Sequence, residues 1–175
     1  MSSKKLAIIA LGKRNAGKSN TWYEIFGRVI RSGLKRLSLN GKKMLVSVKN
    51  SSFEESGDEI EGYFDVFVIN ASNEESGYEI EDYLDVNNLP SIVFCSVQYV
   101  EDGLKTIDWF KDHEYYLYIQ WINPGHHDHT EYNDYLEFER RFHSSGTFTK
   151  CSGKEKAQRG MAIVQFLSQW IKSNK

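Results

Sequence analysis

Residues 12–19, Gly-Lys-Arg-Asn-Ala-Gly-Lys-Ser, set two glycines, a lysine and a serine at the spacing GxxxxGK[ST]. Those residue types at that spacing can cradle phosphate. Gly12 and Gly17 let the backbone curl until its N–H groups face one anion, which also meets the positive end of a following helix dipole. Lys18 would reach the β- and γ-phosphates of a nucleotide, and the Ser19 hydroxyl would bind the Mg²⁺ that bridges their oxygens. The nucleotide contacts expected from the pattern are Gly12, Lys13, Arg14, Asn15, Ala16, Gly17, Lys18, Ser19 and Asn20, with ATP or GTP and Mg²⁺ as cofactors.

Such a loop works only between a strand and a helix. Leu6 to Leu11 is a continuous aliphatic run, and Trp22, Ile25, Phe26, Val29 and Ile30 follow the loop at helical spacing. Further β-rich runs lie at Met44 to Val48, Val66 to Ile69, Ile92 to Val97, Tyr115 to Ile122 and, more weakly, Thr147 to Cys151. Helical patterns occupy about residues 101–112 and 130–143. A last helix follows Ser152 and Glu155, an S-x-x-E capping box, with Met161, Val164, Leu167 and Ile171 on one face. The alternation predicts an α/β domain with a mostly parallel sheet of about six strands and helices on both faces. Ligands of such sheets sit beyond the carboxyl ends of the strands.

The composition bounds the chain's partners. Its 175 residues, 40% of them apolar and only two of them proline, suit a single domain over 1–175 with a sizeable core. With 22 Lys+Arg against 24 Asp+Glu there is no global field to recruit nucleic acid. The longest aliphatic run, six residues, ends at Lys13 and Arg14, which is too short for a membrane span, so a cytoplasmic location is expected. Cys95 and Cys151, both in strand-like runs, suggest buried thiols.

A segment repeats after twenty residues. NSSFEESGDEIEGYFDV (50–66) and NASNEESGYEIEDYLDV (70–86) agree at twelve of seventeen positions. In each copy a strand ends at Asn, two glutamates follow, and Ser56 or Ser76 is placed to cap a short helix with Glu59 or Glu79. One reading is a pair of well-capped crossover helices. The other places Glu54, Glu55, Glu74 and Glu75 on the ligand side, where a carboxylate could hold Mg²⁺ through water or orient an attacking water.

In order and spacing the chain resembles the small Ras-like GTPases of the P-loop NTPase superfamily. Only the phosphate loop matches outright. The resemblance implies a three-layer P-loop fold and aligns Asn70 with the family's Mg²⁺-sensing Asp, Asn123-Pro124-Gly125-His126 with its guanine-reading NKxD, and Ser152-Gly153-Lys154 with its SAK-like turn. It therefore implies that Asn123, Ser152, Gly153 and Lys154 line the nucleotide and that Ser19 and Asn70 face the metal. Asn70 brings no charge, and the missing NKxD Asp leaves guanine selectivity without a visible source. The repeat would make the strand at Met44 parallel, whereas an Asn40-Gly41 turn between 36–39 and 42–46 would form an antiparallel hairpin as in the family.

The activity expected first is hydrolysis of the nucleoside triphosphate, with Lys18 and Glu74 or Glu75 as catalytic groups. A second reading is a kinase acting on a small acceptor, with Glu74 or Glu75 as acid and Arg140 and Arg141 clamping the phosphoryl group. A third is a module that binds nucleotide without turnover and signals to a protein partner. His126, His127, Asp128 and His129 could ligate Zn²⁺, touch the base or substrate, or form a polar loop. Tyr115, Tyr116, Tyr118 and Trp121 read as strand packing, with one ring able to stack on a base.

Overall fold

A computed structural model describes residues 4–40, 43–47 and 64–174. The first copy of the repeat, with Glu54, Glu55, Ser56 and Glu59, lies outside the described residues. The chain runs β1 (Lys5–Gly12), α1 (Lys18–Phe26), β2 (Gly33–Asn40), β3 (Lys43–Ser47), β4 (Phe64–Ile69), α2 (Asn73–Ser76), α3 (Ile80–Tyr83) and β5 (Ile92–Gln98). It continues with α4 (Glu101–Asp112), β6 (Tyr115–Ile122), α5 (Phe138–Phe142), a 3₁₀ turn (His143–Ser145), β7 (Gly146–Cys151) and α6 (Lys156–Ser173).

The strands form one sheet of seven, in the order β3-β2-β4-β5-β1-β6-β7. Its pairs are parallel from β4 to β7, while β2 runs antiparallel to both β3 and β4. The strand at Met44 is therefore one arm of an antiparallel hairpin. Its register pairs Asn40 with Lys43, whereas an Asn40-Gly41 turn would pair Leu39 with Lys42.

β1 is central, and its aliphatic run is buried on both faces. Alternation divides that run between two cores. Leu6, Ile8 and Ala10 pack with Trp22, Ile25 and Phe26 of α1 and with Ile163, Val164 and Leu167 of α6. Ala7, Ile9 and Leu11 pack with Ile107 and Phe110 of α4 and with Phe138 and Phe142 of α5. Helices thus cover both faces. The buried stripe of α6 is Arg159, Gly160, Ile163, Val164 and Leu167, and Met161 is exposed.

Two expected caps form differently. The Glu155 N–H donates to the Ser152 carbonyl (3.2 Å) and the Lys154 N–H to Ser152 Oγ (3.2 Å), so these residues make a turn and α6 starts at Lys156. Ser76 ends α2, and Glu79 becomes the N-cap of α3 in a capping box completed by Asp82, because Gly77 (φ +72°) breaks the helical run between them. The helical pattern at 130–143 shrinks to α5. Among the described residues no helix is long and apolar enough to cross a membrane.

Candidate functional site

Three loops converge at the carboxyl ends of β1, β6 and β7. Gly12 ends β1 in register with Gln98 on one side and Ile122 on the other. A Cβ on Gly12 would lie 2.8 Å from the Ala16 Cβ, so the turn closes that tightly only around glycine. Asn15 (φ +60°) and Gly17 (φ +102°) both take the left-handed conformation, and Gly17 is the N-cap of α1. Lys18 is buried, and its Nζ donates to the carbonyls of Gly12 (3.3 Å) and Lys13 (2.9 Å). Ser19 is exposed one residue into the helix, and Arg14 and Asn15 are exposed at the loop tip.

The loop after β6 locks onto this turn. The His126 N–H donates to the Ala16 carbonyl (3.0 Å), and from the β5–α4 connection the Tyr99 N–H donates to the Gly12 carbonyl (2.9 Å). The loop after β7 closes the set: the Gly153 N–H donates to the Pro124 carbonyl (2.8 Å) and the Asn123 N–H to the Cys151 carbonyl (2.8 Å). A Cβ on Gly153 would stand 2.2 Å from the His126 nitrogen, which makes glycine obligatory at this crossing. Lys154 is exposed beside it.

Arg159, 2% exposed on α6, ties these parts together. Its Nε and Nη2 donate to Thr21 Oγ1 (both 3.2 Å), Nη2 also to the Gly17 carbonyl (3.3 Å), and Nη1 to the Ser152 carbonyl (2.7 Å). Burial pulls its pKa below the ordinary value for arginine, yet a guanidinium in a protein keeps its proton.

Asn123 does not face the loop cluster with its side chain. Its Nδ2 donates to the Tyr132 carbonyl (2.8 Å) and its Oδ1 accepts from the Tyr132 N–H (3.0 Å), so the amide fixes the β6–α5 connection. An aromatic nucleus supports the same connection. Tyr99 stacks on Trp121 and Phe138 and hydrogen-bonds Asp134, which also caps the α5 turn through the N–H groups of Phe138 (3.0 Å) and Glu139 (2.9 Å). The Tyr132 hydroxyl accepts from Trp121 Nε1 (3.2 Å), and burial pushes its pKa up to about 12. Between this connection and the Gly12–Ser19 loop lies a cleft of about 370 Å³, lined by Lys13, residues 127–131 and Tyr132. The Lys13 ammonium sits over the Tyr132 ring at 3.6 Å. Among the described residues no three His, Cys, Asp or Glu side chains gather as metal ligands, His126 to His129 included.

The remaining expected site residues lie elsewhere. β5 separates β4 from β1, and β4 also ends early: Ile69 pairs with Cys95 and Cys95 with Ile9, three residues short of Gly12. Asn70 donates from Nδ2 to the Ile30 carbonyl (2.7 Å) and from its backbone to Ser32 Oγ (3.0 Å), which fastens the α1–β2 connection. Glu75 is exposed on α2, and the side chain of Glu74 lies outside the described residues. Arg140 pairs with Glu137, and Arg141 forks onto Asp108 of α4, both at the surface. Arg159 and Tyr99 carry the site without having been singled out in the sequence. The signal for Arg159 was its spacing, since 159, 163 and 167 set a cation on the apolar stripe of the last helix.

Comparison with protein-family models, with curated proteins and with solved structures found no match to this chain.

Proposed function

We propose that the chain binds a nucleoside triphosphate with Mg²⁺ through the Gly12–Ser19 loop, as a three-layer P-loop protein resembling the small GTPases. One observation carries this reading: a strand ends in a turn that only glycine can close at residue 12, a left-handed Gly17 opens the helix, and the Lys18 ammonium lies across the loop's own carbonyls. Those features suit the group. Lys18 would exchange carbonyl oxygens for phosphate oxygens, a charge-assisted bond, and the exposed Ser19 hydroxyl is available to a phosphate-bound Mg²⁺. The triphosphate supplies the scissile anhydride, and the chain's contribution is to bind and orient it.

GTPase-like hydrolysis is the activity the resemblance implies. A specific observation favours the third reading, a module that binds without turnover. The residue aligned with the Mg²⁺-sensing Asp is Asn70, whose amide is engaged with Ile30 at the early end of β4. The kinase reading draws less support, because Arg140 and Arg141 already pair with Glu137 and Asp108.

Calorimetric titration with ATP and with GTP, each with and without Mg²⁺, tests the binding, and product analysis separates the activities. Inorganic phosphate means hydrolysis, a phosphorylated acceptor means a kinase, and intact triphosphate after long incubation means a binding module. Absence of heat with every nucleotide would sink the proposal.

A further inference from the structure

The guanidinium of Arg159 is buried among neutral partners only. Its hydrogen bonds go to Thr21 Oγ1 and to the carbonyls of Gly17 and Ser152, and among the described residues no carboxylate accepts one from it. Glu24 and Glu155 lie near enough to act through their charge, but Glu24 pairs with Lys156 at 3.2 Å. A cation held this way is costly unless its charge or its geometry serves something.

The geometry shows what is served. A trans peptide points its carbonyl and the next N–H in opposite directions. The Gly17 carbonyl is drawn toward α1 by the Thr21 N–H, a long bond of 3.4 Å, and toward α6 by Arg159 Nη2 at 3.3 Å. The Lys18 N–H on the other side of that peptide therefore points back out of the helix, toward the turn formed by Gly12 to Ala16. It stands in the first turn of α1. Gly160, next in sequence, makes the approach possible. A Cβ there would already stand 3.1 Å from the Glu24 Cβ, so α6 and α1 meet at the level where Arg159 reaches Gly17.

We propose that Arg159 is a positioning residue of the phosphate site: it fixes the Gly17–Lys18 peptide with its N–H toward the anion hollow and sets a permanent positive charge behind it. The inference rests on the reading of Gly12–Ser19 as a phosphate cradle. Arginine suits both tasks, because its fork makes four hydrogen bonds to three acceptors while its charge persists.

The test uses inorganic tripolyphosphate, which has no base or ribose, titrated into the full chain and into Arg159→Met, Arg159→Lys and Lys18→Ala, with thermal midpoints recorded for each. Arg159→Met is expected to weaken binding about tenfold, and Arg159→Lys to recover part of the loss. In ¹⁵N-resolved spectra the Lys18 amide should move on adding tripolyphosphate to the parent and to Arg159→Lys, and stay still in Arg159→Met. A lowered melting midpoint with affinity within twofold of the parent, measured where the variant is folded, overturns the inference and leaves a purely structural arginine. If the parent binds and Lys18→Ala does not, an unaffected Arg159→Met removes the inference alone; if parent and Lys18→Ala both fail to bind, the cradle itself is removed. Should Arg159→Met not fold, Thr21→Val takes its place. It deletes the hydroxyl that receives two of the four bonds, and unchanged tripolyphosphate affinity in that variant overturns the proposal.

Discussion

The ends of β1 and β4 are two strand ends in one sheet, and they are built to different purposes. At the end of β1 the loop carbonyls are held by donors from elsewhere: Gly12 by Tyr99, Ala16 by His126, Gly17 by Arg159. At the end of β4 the residue itself does the tying: Asn70 donates from Nδ2 to the Ile30 carbonyl and from its backbone N–H to Ser32 Oγ, while its Oδ1 is buried without a hydrogen-bond partner among the described residues. The β1 end is thus braced through its carbonyls by donors from three other segments, and the β4 end braces the α1–β2 connection through its own donors. On the proposed reading, phosphate binding would draw on the β1 end alone and turnover on both ends.

The steepest way to break that contrast is to pry the β1 end apart. Gly153→Ala drives a Cβ to 2.2 Å from the His126 nitrogen and 2.4 Å from the Gly125 carbonyl carbon. Backbone meets backbone there, so relief requires moving a loop. The expected cost is about 3 kcal/mol or more in denaturant unfolding, with triphosphate binding lost alongside. A variant of parent stability would mean that the loops are not interlocked.

Lys18→Ala comes next. Removing charge-assisted bonds to phosphate is expected to cost about 2–3 kcal/mol, or about a hundredfold in affinity by calorimetry, with far less effect on the melting midpoint. If affinity and stability fell together, the ammonium would be mortar between carbonyls rather than a ligand-binding group.

Alkaline pH probes the same cluster without a mutation. Burial pushes the Cys151 thiol, at the end of β7, up to about 11. The unfolded chain releases that proton near the ordinary value of about 8.5, so the contribution is complete below that pH and is lost as pH rises toward 11. The loss is expected to reach up to about 3 kcal/mol by urea denaturation, and Cys151→Ala should flatten the slope between pH 8.5 and 11. An unchanged slope in that variant would assign the alkaline loss to other groups, such as Tyr132.

What the sequence made legible follows from how local each signal is. The Gly12–Ser19 turn needs only its own residues and two flanking elements, so its pattern could be read directly, and six of the seven strands show as apolar runs, whereas β2, whose GLKRLSLN is half polar, shows only as an arm of the 36–46 hairpin. Strand order is a tertiary outcome. Nothing in Ile92–Gln98 says that it inserts between β4 and β1, and this insertion is what holds Asn70 away from the loop. The stretch 130–143 mimics a helix because its rings fall at helical spacing, but Asn123 clasps Tyr132 at both backbone groups and the rings gather around Tyr99 instead. Those partners are remote in sequence and leave no periodic trace. Arg159 is the intermediate case, a cation on an apolar stripe whose acceptors, Thr21 and Gly17, lie 138 and 142 residues away.

The finest test of the contrast restores the missing charge. Asn70→Asp places a carboxylate where the resemblance implies a metal-sensing one. At this strand end it would replace an amide donor by an acceptor facing the Ile30 carbonyl across 2.7 Å. Two acceptors in that geometry repel, and the Ile30 carbonyl loses its partner, so stability should fall by about 1–2 kcal/mol. With β5 between them, β4 and β1 lie about 10 Å apart, two strand spacings, and β4 stops three residues below Gly12. The added charge is therefore expected to leave Mg²⁺-dependent phosphate release at the parent level. Faster release would mean that the β4 end reaches the loop after all, and that an amide in place of a carboxylate limits turnover there.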